Sequence, residues 1–186
     1  MIDIHKLSGR LGNEMFRDAY IYSQFRDGVI PDIYLQDPKY FEKYADEIKK
    51  RYGEGIGYLP YVSIHLRRGD YVGNDFYCQL WETGFYIDAI QYFPNRKFIV
   101  FSDDQDFAKK YFEGDKFSFD DSLDEIEALN KIASCDGHII ANSSFSYWGA
   151  FLSPHRGKVV CPSEKSWYAD GQIRTRVPKD WIQIEL

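Results

Sequence analysis

Five short β-rich runs, YVSIHL (61–66), KFIVFS (97–102), KFSF (116–119), GHIIAN (137–142) and KVVCPS (158–163), alternate with stretches of helical periodicity. Parallel strands can be joined only by crossovers long enough to hold a helix, so this alternation constrains the chain to an α/β layering with a parallel sheet. Helices are expected near 85–93, 105–112 and 145–152. Another is expected to open at Ser122, which stands three residues before Glu125 in the spacing of a capping box. Residues 61–163 therefore predict a Rossmann-like, doubly wound lobe whose ligand lies beyond the carboxyl ends of the strands.

The first 60 residues carry a shorter version of the same alternation. A strand is expected at 2–6, then the glycine loop SGRLGN (8–13), a helix over 14–26 ended by Gly28, a strand at 32–35 and a helix over 38–51. Gly53, Gly55, Gly57 and Pro60 then interrupt the pattern. The expected division is a reduced α/β first lobe over 1–60 and a Rossmann-like ligand-binding lobe over 61–186, closing in an irregular tail.

Composition narrows the function. A chain of 186 residues, 44% hydrophobic and 28% charged, is globular. A mean hydropathy of −0.48 and the lack of an 18-residue apolar run exclude an integral membrane protein. With 29 acidic against 23 basic residues the net charge is −6, which argues against a broad nucleic-acid grip. Cys78, Cys135 and Cys161 lie far apart with no C-x-x-C pair, so neither a disulfide framework nor a zinc site is indicated. No basic segment leading into an apolar one opens the sequence, and the expected location is cytoplasmic.

Three local patterns carry chemistry. HLRRGDY (65–71) places Arg67 and Arg68 at the carboxyl end of a strand, where guanidinium forks suit phosphate oxygens and Asp70 can orient one of them; a plain surface ion pair is the alternative. In ANSSFSYWGA (141–150), a strand runs through Asn142, Ser143 and Ser144 into a helix. That is either an anion site or simple capping. GRLGN (9–13) offers Gly9 and Gly12 for close backbone approach but is an incomplete dinucleotide fingerprint. The ten acidic residues against three basic ones between Phe101 and Asn130 include Asp103 and Asp104 at a strand end, suited to Mg2+ or to a ribose or base.

Together these residues resemble a known family. GRLGNEMF, HLRRGDY, YIDAIQYFPNRKFIVFSDD and IIANSSFSYWGAFLS follow, in order, the motifs of α-1,2-fucosyltransferases, glycosyltransferase family 11, over about 1–25 and nearly all of 61–163. The resemblance implies a GT-B-like enzyme that binds GDP-β-L-fucose in its second lobe. It transfers fucose with inversion, without a metal or other cofactor, to a hydroxyl of a glycan or small saccharide. By motif position, Arg67 resembles the arginine that grips the β-phosphate. His65 lines the nucleotide site, and Arg68 and Asp70 support it. Ser143, Ser144 and Phe145 resemble the loop that meets the diphosphate, with Gly12 beside it and Asn13 near donor and acceptor. Asp124, Glu125 and Glu127 compete to read guanine, and Glu14, Asp18 and Asp70 to serve as base. The separation of 52 positions between Asn13 and His65 is shorter than relatives carry. A GDP-sugar-binding protein without transfer, another donor or linkage, and a homo-oligomer that completes the cleft follow as alternative expectations.

Overall fold

The computed structural model describes residues 11–27, 36–155 and 157–186, with the backbone alone described over 24–27. The strands expected at 2–6 and 32–35, and the helix stop at Gly28, lie outside the described residues. Six parallel strands form one sheet: β1 (Leu59–Leu66), β2 (Phe98–Ser102), β3 (Phe117–Phe119), β4 (Cys135–Ile139), β5 (Val159–Pro162) and β6 (Ile182–Ile184). Their order is β3-β2-β1-β4-β5-β6. The winding reverses between β1 and β4, and open α/β sheets hold ligands at the carboxyl ends of such a pair.

Helices cover both faces. On one, α3 (Phe85–Gln91) and α4 (Gln105–Tyr111) bury Phe85, Tyr86, Ala89 and Ala108 on Val62, Ile64, Leu66 and Val100. On the other, α1 (Leu11–Asp27), α2 (Ala45–Tyr52), α5 (Glu125–Ser134) and α6 (Ser144–Leu152) share a second apolar cluster with Val159 and Cys161. Period-two alternation in β1 sends Ser63 and His65 to this second face. There Ser63 meets His138 at 2.9 Å and His65 meets Ser146 of α6 at 2.9 Å.

Helix α6 organises that second face, because every residue from Ser146 to Leu152 is buried. Phe16 of α1 lies 4.7 Å from the Tyr147 ring and 5.0 Å from Trp148, while Phe41 stacks on Trp148 at 5.5 Å. The described part of 1–60 thus packs its apolar residues onto a helix of the later segment.

Several local expectations are corrected. Gly12 and Asn13 lie within α1 (Leu11–Asp27), so they are helical rather than part of a loop. Residues 38–44 form two 3-10 turns, and α2 starts only at Ala45. The helix expected at Ser122 opens instead after Asp124, whose carboxylate accepts from the N–H groups of Ile126 and Glu127; Ser122 donates to Asp120. Glu127 accepts from the N–H of Leu123, so a reciprocal cap exists two residues beyond its expected place. The tail is not wholly irregular: Ile182–Ile184 adds β6 beside β5, a run too short to announce itself by periodicity.

Gly149 lies where α6 crosses α5. A Cβ there would come within 2.4 Å of Cγ2 and 3.0 Å of Cβ of Ile132, a β-branched residue with little rotamer freedom in a helix. Gly149→Ala gains about 1 kcal/mol of helix propensity yet is expected to lower stability by a net ~1–2 kcal/mol through overpacking. A fall in the urea midpoint checks this; an unchanged or raised midpoint would show that α5 and α6 can separate.

Candidate functional site

The loops after β1, β2 and β4 converge with the start of α1 around a cavity of about 420 Å³. Its described lining includes Gly12, Asn13, Gln36, Arg67, Asp70, Tyr71, Tyr77, Asp103, Glu125, Asn142, Ser143, Ser144, Phe145, Trp167 and Tyr168. A second hollow of about 600 Å³ shares Arg67, Asp103, Glu125 and Phe145 with it and adds His65, Asp120, Asp121, Leu123 and Asp124. Of the expected site residues, Asn13, Gly12, Arg67, Asp70, Asp103, Ser143, Ser144 and Phe145 are brought to the first cavity, and His65 and Asp124 to the second.

The two arginines of HLRRGDY part company. The Arg67 fork is held from both sides, Nη2 by Asp70 and Nη1 by Asp103, with its side chain 15% exposed and its guanidinium 5.5 Å from the Tyr71 ring. Asp103 is itself anchored, accepting from the backbone N–H groups of Arg68 at 2.8 Å and Gly69 at 3.2 Å. Arg68, expected beside the ligand, lines neither cavity. Its guanidinium lies 3.7 Å from the Phe107 ring centroid and 5.3 Å from that of Trp81, and it donates to Asp104 at 2.6 Å. Successive residues leaving a strand point to opposite faces, so only one arginine of the pair can reach the crevice. Asp104 is correspondingly structural: the N–H of Phe107 and then Arg68 hold its carboxyl below the usual range.

The loop after β4 supplies the opposite wall. Ser143 caps α6, accepting from the Phe145 N–H at 3.4 Å, and the first turn of α6 presents N–H groups at the cavity. Gly12 makes this junction close: a Cβ there would lie 2.5 Å from the Ser144 carbonyl carbon. Asn142, in contrast, is a buried staple. Its Nδ2 donates to the carbonyls of Cys78 at 3.0 Å and Trp167 at 2.8 Å, and its own carbonyl accepts from Tyr71.

The acidic residues also sort themselves. Asp124 is occupied as the α5 cap, and Glu127 pairs with Lys131. Glu125 is exposed and lines both hollows. Glu14 and Asp18 line neither, and burial pushes the Asp18 carboxyl up against the opposing pull of Arg51. Among the described residues no group of three or more His, Cys, Asp or Glu side chains is placed to hold a metal ion, and no helix is long and apolar enough to cross a membrane. Gln36, Tyr77, Trp167 and Tyr168 had no sequence signal beyond the 18% aromatic content, because only folding brings their segments to the cavity.

Comparison with known proteins settles the family. The sequence profile described as "Glycosyl transferase family 11" matches residues 19–185. The chain belongs to glycosyl transferase family 11. It is similar to the "Alpha-1,2-colitosyltransferase" of Escherichia coli, 32% identical over 180 positions that cover 82% of this chain and 61% of the relative. It is also similar to the "O-antigen biosynthesis glycosyltransferase WbnK" of Escherichia coli, 32% identical over 135 positions, 66% of this chain and 44% of the relative. The chain thus spans less than two thirds of the length of either relative. The family resemblance borne by the four motifs holds, and the loops that close HLRRGDY and ANSSFSYWGA meet at one cavity in this family 11 chain.

Burial lowers the pKa of His65 to about 4 against the opposing pull of Asp103, and that of His138 to about 3. Both imidazoles are neutral in the folded protein at neutral pH. In the unfolded chain they protonate near pH 6.5, so below that value the unfolded state binds more protons and stability declines until the folded-state values are reached. Between neutral pH and about pH 5 each histidine should remove up to roughly 2 kcal/mol. Urea titrations at the two pH values check this, and His138→Asn should remove about half of the pH-dependent loss. A loss of unchanged size would show that His138 is charged in the native state.

Proposed function

We propose that this family 11 chain forms the donor-binding part of a glycosyltransferase. In this reading it transfers L-fucose from GDP-β-L-fucose to a sugar hydroxyl, by a single inverting displacement that needs no metal, in a GT-B-like arrangement. The observation that carries the reading is the meeting of Arg67 and the amino end of α6 across the β1–β4 switch point. As the bond between sugar carbon and phosphate oxygen breaks, negative charge grows on the GDP leaving group. A guanidinium fork and the N–H groups of a helix amino end stabilise that charge more than the ground state, which lowers the barrier.

The free site holds Arg67 between two carboxylates, and the diphosphate competes with them. Asp103 is tied to two backbone N–H groups, whereas the Asp70 side chain is 47% exposed and lines the cavity, so Asp70 is the carboxylate that yields. Once turned from Arg67, it stands as the proposed base for the acceptor hydroxyl. Glu125, which borders both hollows, is the proposed reader of guanine: a carboxylate accepts from the adjacent N–H groups of that base edge.

A second donor is favoured by one observation, the relative named for colitosyl transfer. A sugar that differs from fucose at one position would leave the Arg67, Ser143 and Glu125 contacts unchanged, so the diphosphate and base contacts do not separate the two donors. GDP release that depends on an added saccharide would exclude a GDP-sugar-binding protein without transfer.

Calorimetry with GDP-fucose, with and without EDTA, tests the reading. Binding should survive EDTA and exceed that of GDP-mannose. Arg67→Ala should weaken it at least tenfold, since hydrogen bonds to charged groups contribute about 1.5–3 kcal/mol each. Arg68→Ala should leave affinity within a few fold while lowering the unfolding midpoint. Equal losses in both variants would refute the division of labour, and no binding of any guanine nucleotide would refute the donor. In the same assay Glu125→Gln should cost guanine nucleotides about tenfold in affinity and leave UDP unaffected.

A further inference from the structure

The two hollows differ in character. Arg67, Asp103 and Glu125 are shared between them, on the side assigned above to the nucleotide. Apart from Asp70, every described side chain that lines the first cavity alone is uncharged, and away from the Ser143–Ser144 turn this part is rich in amides and aromatic rings: Asn13, Gln36, Tyr77, Trp167 and Tyr168. Tyr77 and Tyr168 keep their protons, because burial raises both phenols. A surface of neutral donors, acceptors and ring faces suits a polyhydroxylated neutral molecule and offers nothing to a second anion.

Behind this surface runs a chain of hydrogen bonds. The Thr175 hydroxyl donates to Gln36 Oε1 at 2.6 Å. An amide oxygen cannot donate, so the only proton of Thr175 is committed there. The contact of 3.2 Å between Tyr168 Oη and Thr175 Oγ1 must then have the phenol as donor. With its oxygen turned to Thr175, Gln36 turns its Nε2 to Asn13 and donates to Oδ1 at 2.8 Å. Each step of the chain follows from the way the Gln36 and Asn13 amides are turned in the structure. Thr175 and Gln36 are 0% and 5% exposed, and a backbone bridge joins them, with the Arg176 N–H donating to the Gln36 carbonyl at 2.7 Å. A buried, satisfied network holds its members in one arrangement.

We infer that the uncharged part of the first cavity is the subsite for a neutral saccharide acceptor, and that Tyr168, Thr175 and Gln36 are positioning residues that hold the Asn13 carboxamide in one orientation toward it. The inference rests on the transferase reading above for the word acceptor, and on this cavity alone for the saccharide. Loss of the Thr175 hydroxyl interrupts the chain, lets Gln36 and Asn13 rotate, and disturbs saccharide binding without touching the diphosphate contacts.

The test uses Thr175→Val, which keeps shape and removes the hydroxyl, beside Thr175→Ser, which restores it. Saturation-transfer NMR with methyl β-D-galactopyranoside and methyl β-D-glucopyranoside, with and without GDP, reads saccharide binding, and calorimetry reads GDP-fucose. The expected result is binding of at least one glycoside by the wild type, a loss of at least tenfold in Thr175→Val, recovery to within about threefold in Thr175→Ser, and a GDP-fucose Kd within twofold in all three. Where transfer is measured, the saccharide KM should rise in Thr175→Val while the KM for GDP-fucose stays. Failure of the wild type to bind either glycoside overturns the subsite. So does Thr175→Val that binds like the wild type, or a loss that Thr175→Ser does not rescue. Glycoside binding without any GDP-fucose binding supports the subsite and overturns the donor reading, so the two failures are distinguishable.

Discussion

The burial of α6 is the constraint on which the site depends. A nine-residue helix carrying Phe145, Tyr147, Trp148, Phe151 and Leu152 is apolar all round, and such a helix is stable only when surrounded. The sheet, α5 and α1 with the Phe41 turn surround it. Enclosing the body of the helix leaves its amino end as the part that opens on the crevice. The packing that stabilises this face of the molecule therefore also aims the Ser143–Phe145 turn. The same packing draws in α1, because Phe16 must reach Trp148, and with it come Gly12 and Asn13.

Electrostatics then divides the crevice. Arg67 is the cation of the first cavity among its described lining residues, held between Asp70 and the backbone-anchored Asp103. Such a pairing keeps the guanidinium aimed at the crevice. The neighbouring Arg68 gains its keep as structure: its plane packs on Phe107, and its charge is met by Asp104, the cap of α4. One dipeptide thus joins the ligand site to the opposite face of the sheet. Beyond Arg67 the cavity becomes neutral and aromatic, walled by the tail that follows β5.

The strand and helix alternation over 61–163 was legible because it is periodic and local. The strands were expected within a few residues of where they lie; α3 and α4 start where expected and end sooner, whereas α5 opens later than expected. Where the expectation failed, the competing local option won: Asp124 outcompeted Ser122 as a cap, since its carboxylate reaches two N–H groups while Ser122 turns to Asp120. The site motifs were legible as segments at strand ends, and four of them together pointed to the family. Their division into ligand-facing and packed residues was not legible, since His65, Arg67 and Arg68 are adjacent in sequence but differ in what folds against them.

The sequence by itself determined the layered α/β class, the crevice at strand ends, the family, and the placing of Arg67 and the Ser143 turn at strand ends, because each of these is written in neighbouring residues. Only the tertiary structure decided which arginine faces the crevice, which acidic residues are caps, and that Tyr168, Thr175 and Gln36 stand behind Asn13. Those assignments depend on contacts such as Thr175 with Gln36, separated by 139 positions. No local periodicity carries such a pairing; it arises when burial of α6 brings the two ends of the chain onto one face of the sheet.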